Sequence, residues 1–220
     1  MSDLPAQLEA VVFDMDGVLL DTEPMHLEVA RALVAPAALS LEQYTPFIGT
    51  HGFGDWLEST YDIPREEIRT RSSELLFERL STEGVSAMPG AVEVILAIRE
   101  RGLATAVVTM TPPDWTEATL VTSGLRPLFE VVITSADVAH GKPAPDLYLH
   151  AAAALGVAPR ASLAVEDSVH GIASASSAGM HVVQLRQATF VPDPQTEAHA
   201  VLDSLEGFEL TWLDGAAPGS

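Results

Sequence analysis

The chain has 220 residues, 47% of them hydrophobic, enough for one full core and a small accessory unit but too few for two full-sized domains. It carries a formal charge of −20 and no cysteine. The charge sets it against nucleic-acid phosphates and anionic lipid surfaces, and the missing thiol excludes disulfides, thiolate metal sites and cysteine nucleophiles.

Met1 to Ala10 has no basic segment ahead of the first apolar run, and no stretch approaches the roughly 18 apolar residues of a membrane span. A cytoplasmic protein with neither a nucleic-acid nor a membrane partner is the expectation. Of the 11 basic residues ten are Arg and one is Lys, at position 142. In a chain that uses Arg everywhere else, that lysine stands out.

The first β-branched run, Ala10 to Asp14, reads on as Val11-Val12-Phe13-Asp14-Met15-Asp16-Gly17. Two carboxylates therefore follow the strand, with a glycine where the backbone must turn. The next strand is too far away for an ordinary crossover, because the helical segment from Gly90 to Arg101 alone carries the chain there. Roughly seventy residues, 18–88, are left over as an insertion. Its segments have helical period: Thr22 is placed to cap a helix bearing Met25, Val29 and Leu33, and another starts near Pro64 with Ile68, Leu75, Leu76 and Leu80.

Beyond it, strands are expected at Ala104 to Thr109, Val131 to Thr134, Leu163 to Glu166 and His181 to Leu185, apolar on both faces as buried parallel strands are. A helix through Leu147, Ala151 and Leu155 closes at Gly156, and one through Ile172, Ala175 and Ala178 opens at Asp167 or Ser168, either of which can cap it. The alternation predicts an α/β fold, a parallel sheet sandwiched by helices, with 1–17 and 89–220 as the core domain and 18–88 as a small all-helical cap. The Ala/Pro/Gly tail after Asp214 is expected to be loose.

Open parallel sheets bind ligands at the carboxyl edge. Asp14 and Asp16 lie there, although an Asp-x-Asp-Gly stretch alone also fits a calcium loop or a simple turn. Thr109, Lys142 and Glu166-Asp167 fall at or beyond the ends of three further strands, so four strand ends converge. A hydroxyl, an ammonium and four carboxylates suit phosphoryl transfer through a carboxylate: magnesium takes oxygen ligands, and the phosphate needs cations and hydrogen-bond donors.

Asp14-Met15-Asp16-Gly17-Val18, Gly141-Lys142-Pro143-Ala144-Pro145-Asp146 and Val165-Glu166-Asp167-Ser168, in this order, resemble the haloacid dehalogenase superfamily in its helical-cap phosphatase branch, near β-phosphoglucomutase-like and phosphoglycolate-phosphatase-like members. The resemblance spans about Val11 to Leu185. It implies a Rossmann-like core, a magnesium ion and a small phosphorylated metabolite as substrate. Asp14 is then the nucleophile. Asp16 is the acid that protonates the leaving oxygen and later the base that activates water. Thr109 and the Met110 backbone bind the phosphoryl oxygens, and Lys142 holds Asp14. The metal lies between the Asp14 carboxylate, the Asp16 carbonyl and Asp167, with Glu166 a ligand or one water away.

His26, in Asp21-Thr22-Glu23-Pro24-Met25-His26, occupies a position near the active site in mutases. A role in proton transfer, substrate binding or positioning of the cap stands beside that of a hinge-packing or solvent-exposed histidine. His51 and Trp56 are the candidates for substrate selection in the cap.

A mutase also needs an anchor for a second phosphate, supplied in that group by a cap arginine and a Lys-Asn pair. Here the matching stretches read Ile48-Gly49-Thr50-His51-Gly52-Phe53, with no arginine, and Thr111-Pro112-Pro113-Asp114, with two prolines that lack N–H donors followed by an acid, which favours hydrolysis over isomerisation. Asp16 argues against a dehalogenase, and a cap without lysine argues against a phosphonatase. A phosphate-binding protein without turnover and a receiver-like switch are the non-enzymatic alternatives, and the position of Asp14 on the first strand speaks against the switch. A monomer or weak homodimer is expected.

Overall fold

The computed structural model describes residues 8–48, 52–190 and 192–214. The chain divides into two compact units, one of Met1–Asp21 with Ser86–Ser220 and one of Thr22–Val85.

The larger unit is an α/β sandwich. Its strands are β1 (Ala10–Asp14), β2 (Ala104–Val108), β3 (Val131–Ile133), β4 (Ser162–Glu166), β5 (His181–Leu185) and β6 (Ala200–Leu202), parallel throughout and ordered β3-β2-β1-β4-β5-β6. The five strands expected from sequence are present within a residue at each end. β6 was not foreseen: it has three residues, lies at the sheet edge and is only partly buried, so it lacks the continuous apolar run that marks a central strand.

β1 and β4 are buried along their whole length and neighbour each other, with Phe13 opposite Val165. The chain runs outward through β2 and β3 on one side of this pair and through β5 and β6 on the other. The carboxyl ends of β1 and β4 therefore flank the switch point of the sheet, where open α/β sheets bind ligands.

The smaller unit holds α1 (Glu23–Val34), α2 (Leu41–Tyr44), α3 (Phe53–Tyr61) and α4 (Arg65–Glu83). α1 packs on α4 and α3 on α4, burying Leu27, Leu33, Leu57, Ile68 and Leu80. The Tyr44 hydroxyl donates to Glu23 Oε1 at 2.5 Å, and Arg31 Nε donates to the Leu39 carbonyl at 3.3 Å. Thr22 stands at the N-cap of α1 but its side chain makes no capping hydrogen bond. Pro24, free of an N–H to satisfy, and acidic Glu23 set the start of the helix instead.

The division falls inside the sequence boundaries of 18–88. Val18, Leu19 and Leu20 are fully buried in the larger unit, Leu20 bridges Ala87, and Met88 N–H donates to the Leu19 carbonyl at 2.8 Å.

The remaining helices are α5 (Ala91–Glu100), α6 (Pro113–Thr122), α7 (Asp146–Leu155) and α8 (Val169–Ser177). Gly156 closes α7 in the left-handed conformation at φ 72°, as read from sequence. α7 and α8 bury Leu147, Tyr148, Ala151, Ile172 and Ala175 in one core with Val12, Ala106, Val108 and Ala164. The small residues of α8 let it lie close to the sheet. Among the described residues no helix is long and apolar enough to cross a membrane.

Candidate active site

β1 ends in Asp14, which is 5% exposed, and the chain then folds back on itself. Leu19 N–H donates to the Met15 carbonyl at 2.9 Å and Gly17 N–H to the Leu20 carbonyl at 2.7 Å. Gly17 has φ +84°, and a Cβ there would lie 2.0 Å from Asp167 Oδ2. Only glycine lets the loop after β1 come this close to the end of β4. Gly17→Ala therefore combines a left-handed strain with a clash, a loss of at least about 2 kcal/mol. Thermal unfolding of the variant should show a midpoint roughly 4–8 °C lower.

The turn presents Asp16 to the loop after β2. Thr109 Oγ1 donates to Asp16 Oδ2 at 3.1 Å, and Thr111 Oγ1 donates to the same oxygen at 2.7 Å. Thr109 N–H continues the ladder to the Ile133 carbonyl at 3.0 Å, while its hydroxyl oxygen accepts from Thr111 N–H at 3.0 Å. Pro112 and Pro113 are the N-cap and first residue of α6, places where a missing N–H costs nothing.

Lys142 arrives from the segment between β3 and α7. Its side chain is 5% exposed, and Nζ is paired with Asp14 Oδ1 and donates to Glu166 Oε1 at 2.5 Å. Met110, whose backbone N–H the sequence put to use, contributes its side chain: Lys142 N–H donates to Met110 Sδ at 3.3 Å and steadies the segment.

Glu166, fully buried, ends β4. Its Oε1 also accepts from the Tyr148 hydroxyl at 2.9 Å, and its Oε2 accepts from Asp167 N–H and Ser168 N–H at 2.9 Å each and from the Ser168 hydroxyl at 3.1 Å. Five donors saturate this carboxylate. A Cβ on Gly171 would lie 1.6 Å from Glu166 Oε1, so α8 must carry glycine at that turn. Ser168, rather than Asp167, caps α8, accepting from Gly171 N–H at 3.0 Å. That frees the Asp167 carboxylate from helix capping.

Asp14, Glu166 and Asp167 each offer a carboxylate oxygen within 4.8 Å of the others, all buried. The Asp16 side chain, held by its two threonines, stands outside this group. Burial pushes the Asp14 and Asp167 carboxyls well above the ordinary carboxylate range, and the neighbouring carboxylates add to the rise, while Lys142 counters it at both. Burial by itself would lower the Lys142 ammonium, but Asp14 and Glu166 outweigh it and hold that group above its ordinary value, so it stays charged. Burial and then Glu166 raise the Tyr148 phenol, which keeps it a donor.

The donors are hard oxygens with no sulfur or imidazole among them, and three buried carboxylates face one ammonium. A magnesium ion fits both the ligand chemistry and the uncompensated charge.

The structure thus brings together Asp14, Asp16, Thr109, Met110, Lys142, Glu166 and Asp167. His26 lies half-buried on α1 of the smaller unit. Trp56, on α3, packs among Phe47, Phe53 and Tyr61 at ring separations of 5.2 to 5.8 Å, the packing role open to a cap aromatic. His51 lies outside the described residues. Sequence reasoning missed Thr111 and Tyr148: the first was treated only as part of a stretch that lacks a phosphate anchor, and the second was not singled out among the residues of α7.

The family model of haloacid dehalogenase-like hydrolases matches residues 8–179. A putative phosphatase, YhcW, of Bacillus subtilis is 36% identical over 80% of this chain and 82% of its own length. Hexitol phosphatase A of Escherichia coli is 32% identical over 91% and 93%. The crystal structure of CbbY from Rhodobacter sphaeroides in complex with phosphate has a TM-score of 0.82 at 26% identity, covering 94% of this chain and all of that one.

The fold and the carboxyl-edge site define a hydrolase of the doubly wound α/β class. The chain belongs to the haloacid dehalogenase-like hydrolase family, in its helical-cap branch, and its relatives include proteins named as phosphatases.

Proposed function

We propose that this hydrolase is a magnesium-dependent phosphoric monoester hydrolase that passes the phosphoryl group of a small sugar or hexitol phosphate through an aspartyl-phosphate on Asp14. The observation that carries this reading is the buried Lys142 ammonium between Asp14 and Glu166 at the switch point of the sheet, beside an Asp16 held by two hydroxyls.

A carboxylate attacking a phosphate dianion meets repulsion of about 4 kcal/mol per charge pair at 4 Å and an effective dielectric of 20. Lys142 offsets part of it. Asp14, Asp167 and the Asp16 carbonyl would hold magnesium, and Glu166, whose oxygens are already engaged, adds charge behind them. Magnesium supplies the remaining positive charge against the phosphoryl oxygens.

An Asp14 oxygen bonds to phosphorus as the ester P–O bond breaks, and the Asp16 proton passes to the departing oxygen. The Thr109 hydroxyl and the Met110 N–H bind the phosphoryl oxygens, with Lys142 across from them. Asp16, now a carboxylate, takes a proton from water as the water oxygen attacks phosphorus, releasing phosphate and restoring Asp14. The stretch that carries a cationic phosphate anchor in mutases is here the proline start of α6, which supports release of phosphate over its return to the sugar.

The substrate class follows the relatives, which include a hexitol phosphatase and a phosphorylated carbohydrates phosphatase. Phosphate release is to be measured over a panel of sugar, hexitol, glycolate and nucleoside monophosphates, with magnesium and with EDTA, and with β-glucose 1-phosphate plus glucose 1,6-bisphosphate. Release that needs magnesium and is fastest on a sugar or hexitol phosphate is expected. Isomerisation without release would replace this reading with a mutase, and silence throughout with a binding protein.

A further inference from the structure

We infer that Thr111 is a positioning residue for the acid, fixing Asp16 while the leaving oxygen is protonated; this rests on the reading of Asp16 as that acid.

Two hydroxyls donate to one oxygen, Asp16 Oδ2: Thr111 at 2.7 Å and Thr109 at 3.1 Å. A hydroxyl has one hydrogen, so Thr109 cannot serve Asp16 and a phosphoryl oxygen at once. When substrate draws the Thr109 hydrogen away, Thr111 keeps the shorter of the two bonds. With Oδ2 accepting from Thr111, the transferable proton belongs on Oδ1, and the carboxyl group cannot spin it out of line with the leaving oxygen. The proton then goes from Asp16 to that oxygen as the P–O bond opens, and Thr111 gives up nothing.

The local sequence prepares this geometry. Thr111 precedes Pro112, and a residue before proline is biased toward extended backbone. Pro112 is itself extended at φ −61° and ψ 149°, and Pro113 starts α6. Thr111 N–H is tied to Thr109 Oγ1 at 3.0 Å, and the Thr116 hydroxyl donates to the Thr111 carbonyl at 3.4 Å. Both sides of the residue are thus anchored, and its hydroxyl is left to Asp16. The prolines that remove a phosphate anchor from this stretch thereby stiffen a support for the acid.

The test separates this role from a structural one by leaving-group chemistry. An alkyl phosphate, such as a hexitol phosphate, needs its oxygen protonated as it leaves, whereas p-nitrophenyl phosphate leaves as a stabilised phenolate and needs little help. The ratio of kcat/KM for the two reports only the steps through formation of the aspartyl-phosphate. Thr111→Val keeps size and shape and removes the hydroxyl, and it is expected to lower kcat/KM for the alkyl ester roughly 10- to 100-fold, within the range a general acid contributes. The nitrophenyl ester should change by less than about 3-fold, because its leaving oxygen needs little protonation. Thr111→Ser should restore the alkyl rate.

An equal fall on both esters, no fall on either, or a serine variant as slow as the valine would overturn the role of Thr111. Asp16→Asn is the control for the underlying reading. It should show the same selectivity, larger; if it does not, the acid assignment fails irrespective of Thr111. If it does while Thr111→Val shows none, only the present inference fails.

Discussion

Asp14→Asn is expected to reduce turnover by at least about four orders of magnitude and yet to raise the thermal midpoint of the metal-free protein. The loss follows from removing the covalent nucleophile, for which the amide has no substitute. The gain follows from the charges around it. Asp14, Glu166 and Asp167 are buried with a single ammonium, and burial, the largest cause, raises the Asp14 carboxyl well above its ordinary value of 3.8.

A carboxyl whose folded-state pKa is raised costs the fold nothing below its unfolded value. The cost sets in as pH rises from there through the raised value and is complete above it. The amide carries no such cost, and Lys142 keeps Glu166 as its partner. The metal-free wild type should accordingly gain stability as pH is lowered through the raised value toward 3.8, and the variant should gain less. Magnesium, by relieving the same repulsion, should raise the wild-type midpoint more than that of the variant. Thermal unfolding of both proteins, with magnesium and with EDTA, checks all three statements. A variant that releases phosphate at the wild-type rate would end the aspartyl-phosphate reading, and a midpoint lowered in EDTA would end the account of the charges.

Much of this site was legible because chemistry and fold share a signature. Central parallel strands are short apolar runs, so a polar residue directly after such a run stands at the carboxyl edge, and Asp14, Thr109, Glu166 and Asp167 were located by that rule alone. Lys142 was legible through composition, as the only lysine of the chain. What stayed hidden depends on which way a residue faces. Tyr148 is one position of an amphipathic helix until the packing of α7 turns its hydroxyl onto Glu166. Thr111 stood only in the stretch that lacks a phosphate anchor, and the two prolines behind it read as missing donors when they are the start of α6.

The boundary of the helical insertion was hidden for a related reason. Val18 to Leu20 look like the beginning of new structure in sequence, but Leu20 returns to pair with Ala87 beneath the turn at Gly17. β6 needed the tertiary pairing of Val201 with Gln184 to become a strand at all.

Lys142→Ala is expected to cost both folding and chemistry. The side chain is buried and is the sole ammonium between Asp14 and Glu166, and Glu166 is fully enclosed. Breaking a buried ion pair by removing one partner costs about 3–5 kcal/mol, because the remaining charge is left without compensation. For a chain of this size that is a midpoint lower by roughly 10 °C.

The donors that remain on Glu166, the Tyr148 and Ser168 hydroxyls and the backbone N–H groups of Asp167 and Ser168, are neutral and cannot replace a cation. The rate should also fall, by about 10²–10³, the cost of losing one preorganised group that faces developing charge. A group with a raised ammonium pKa contributes its full stabilisation below the unfolded value, 10.5, and loses it only as pH climbs through the higher folded value. Lys142 should therefore impose no alkaline limb on the wild-type rate at any pH below that ordinary value. Rate profiles and unfolding curves of the wild type and the alanine variant test this together. An alanine variant with the wild-type midpoint would mean that the carboxylates do not depend on Lys142, and one with the wild-type rate would mean that the phosphoryl group finds its positive charge elsewhere.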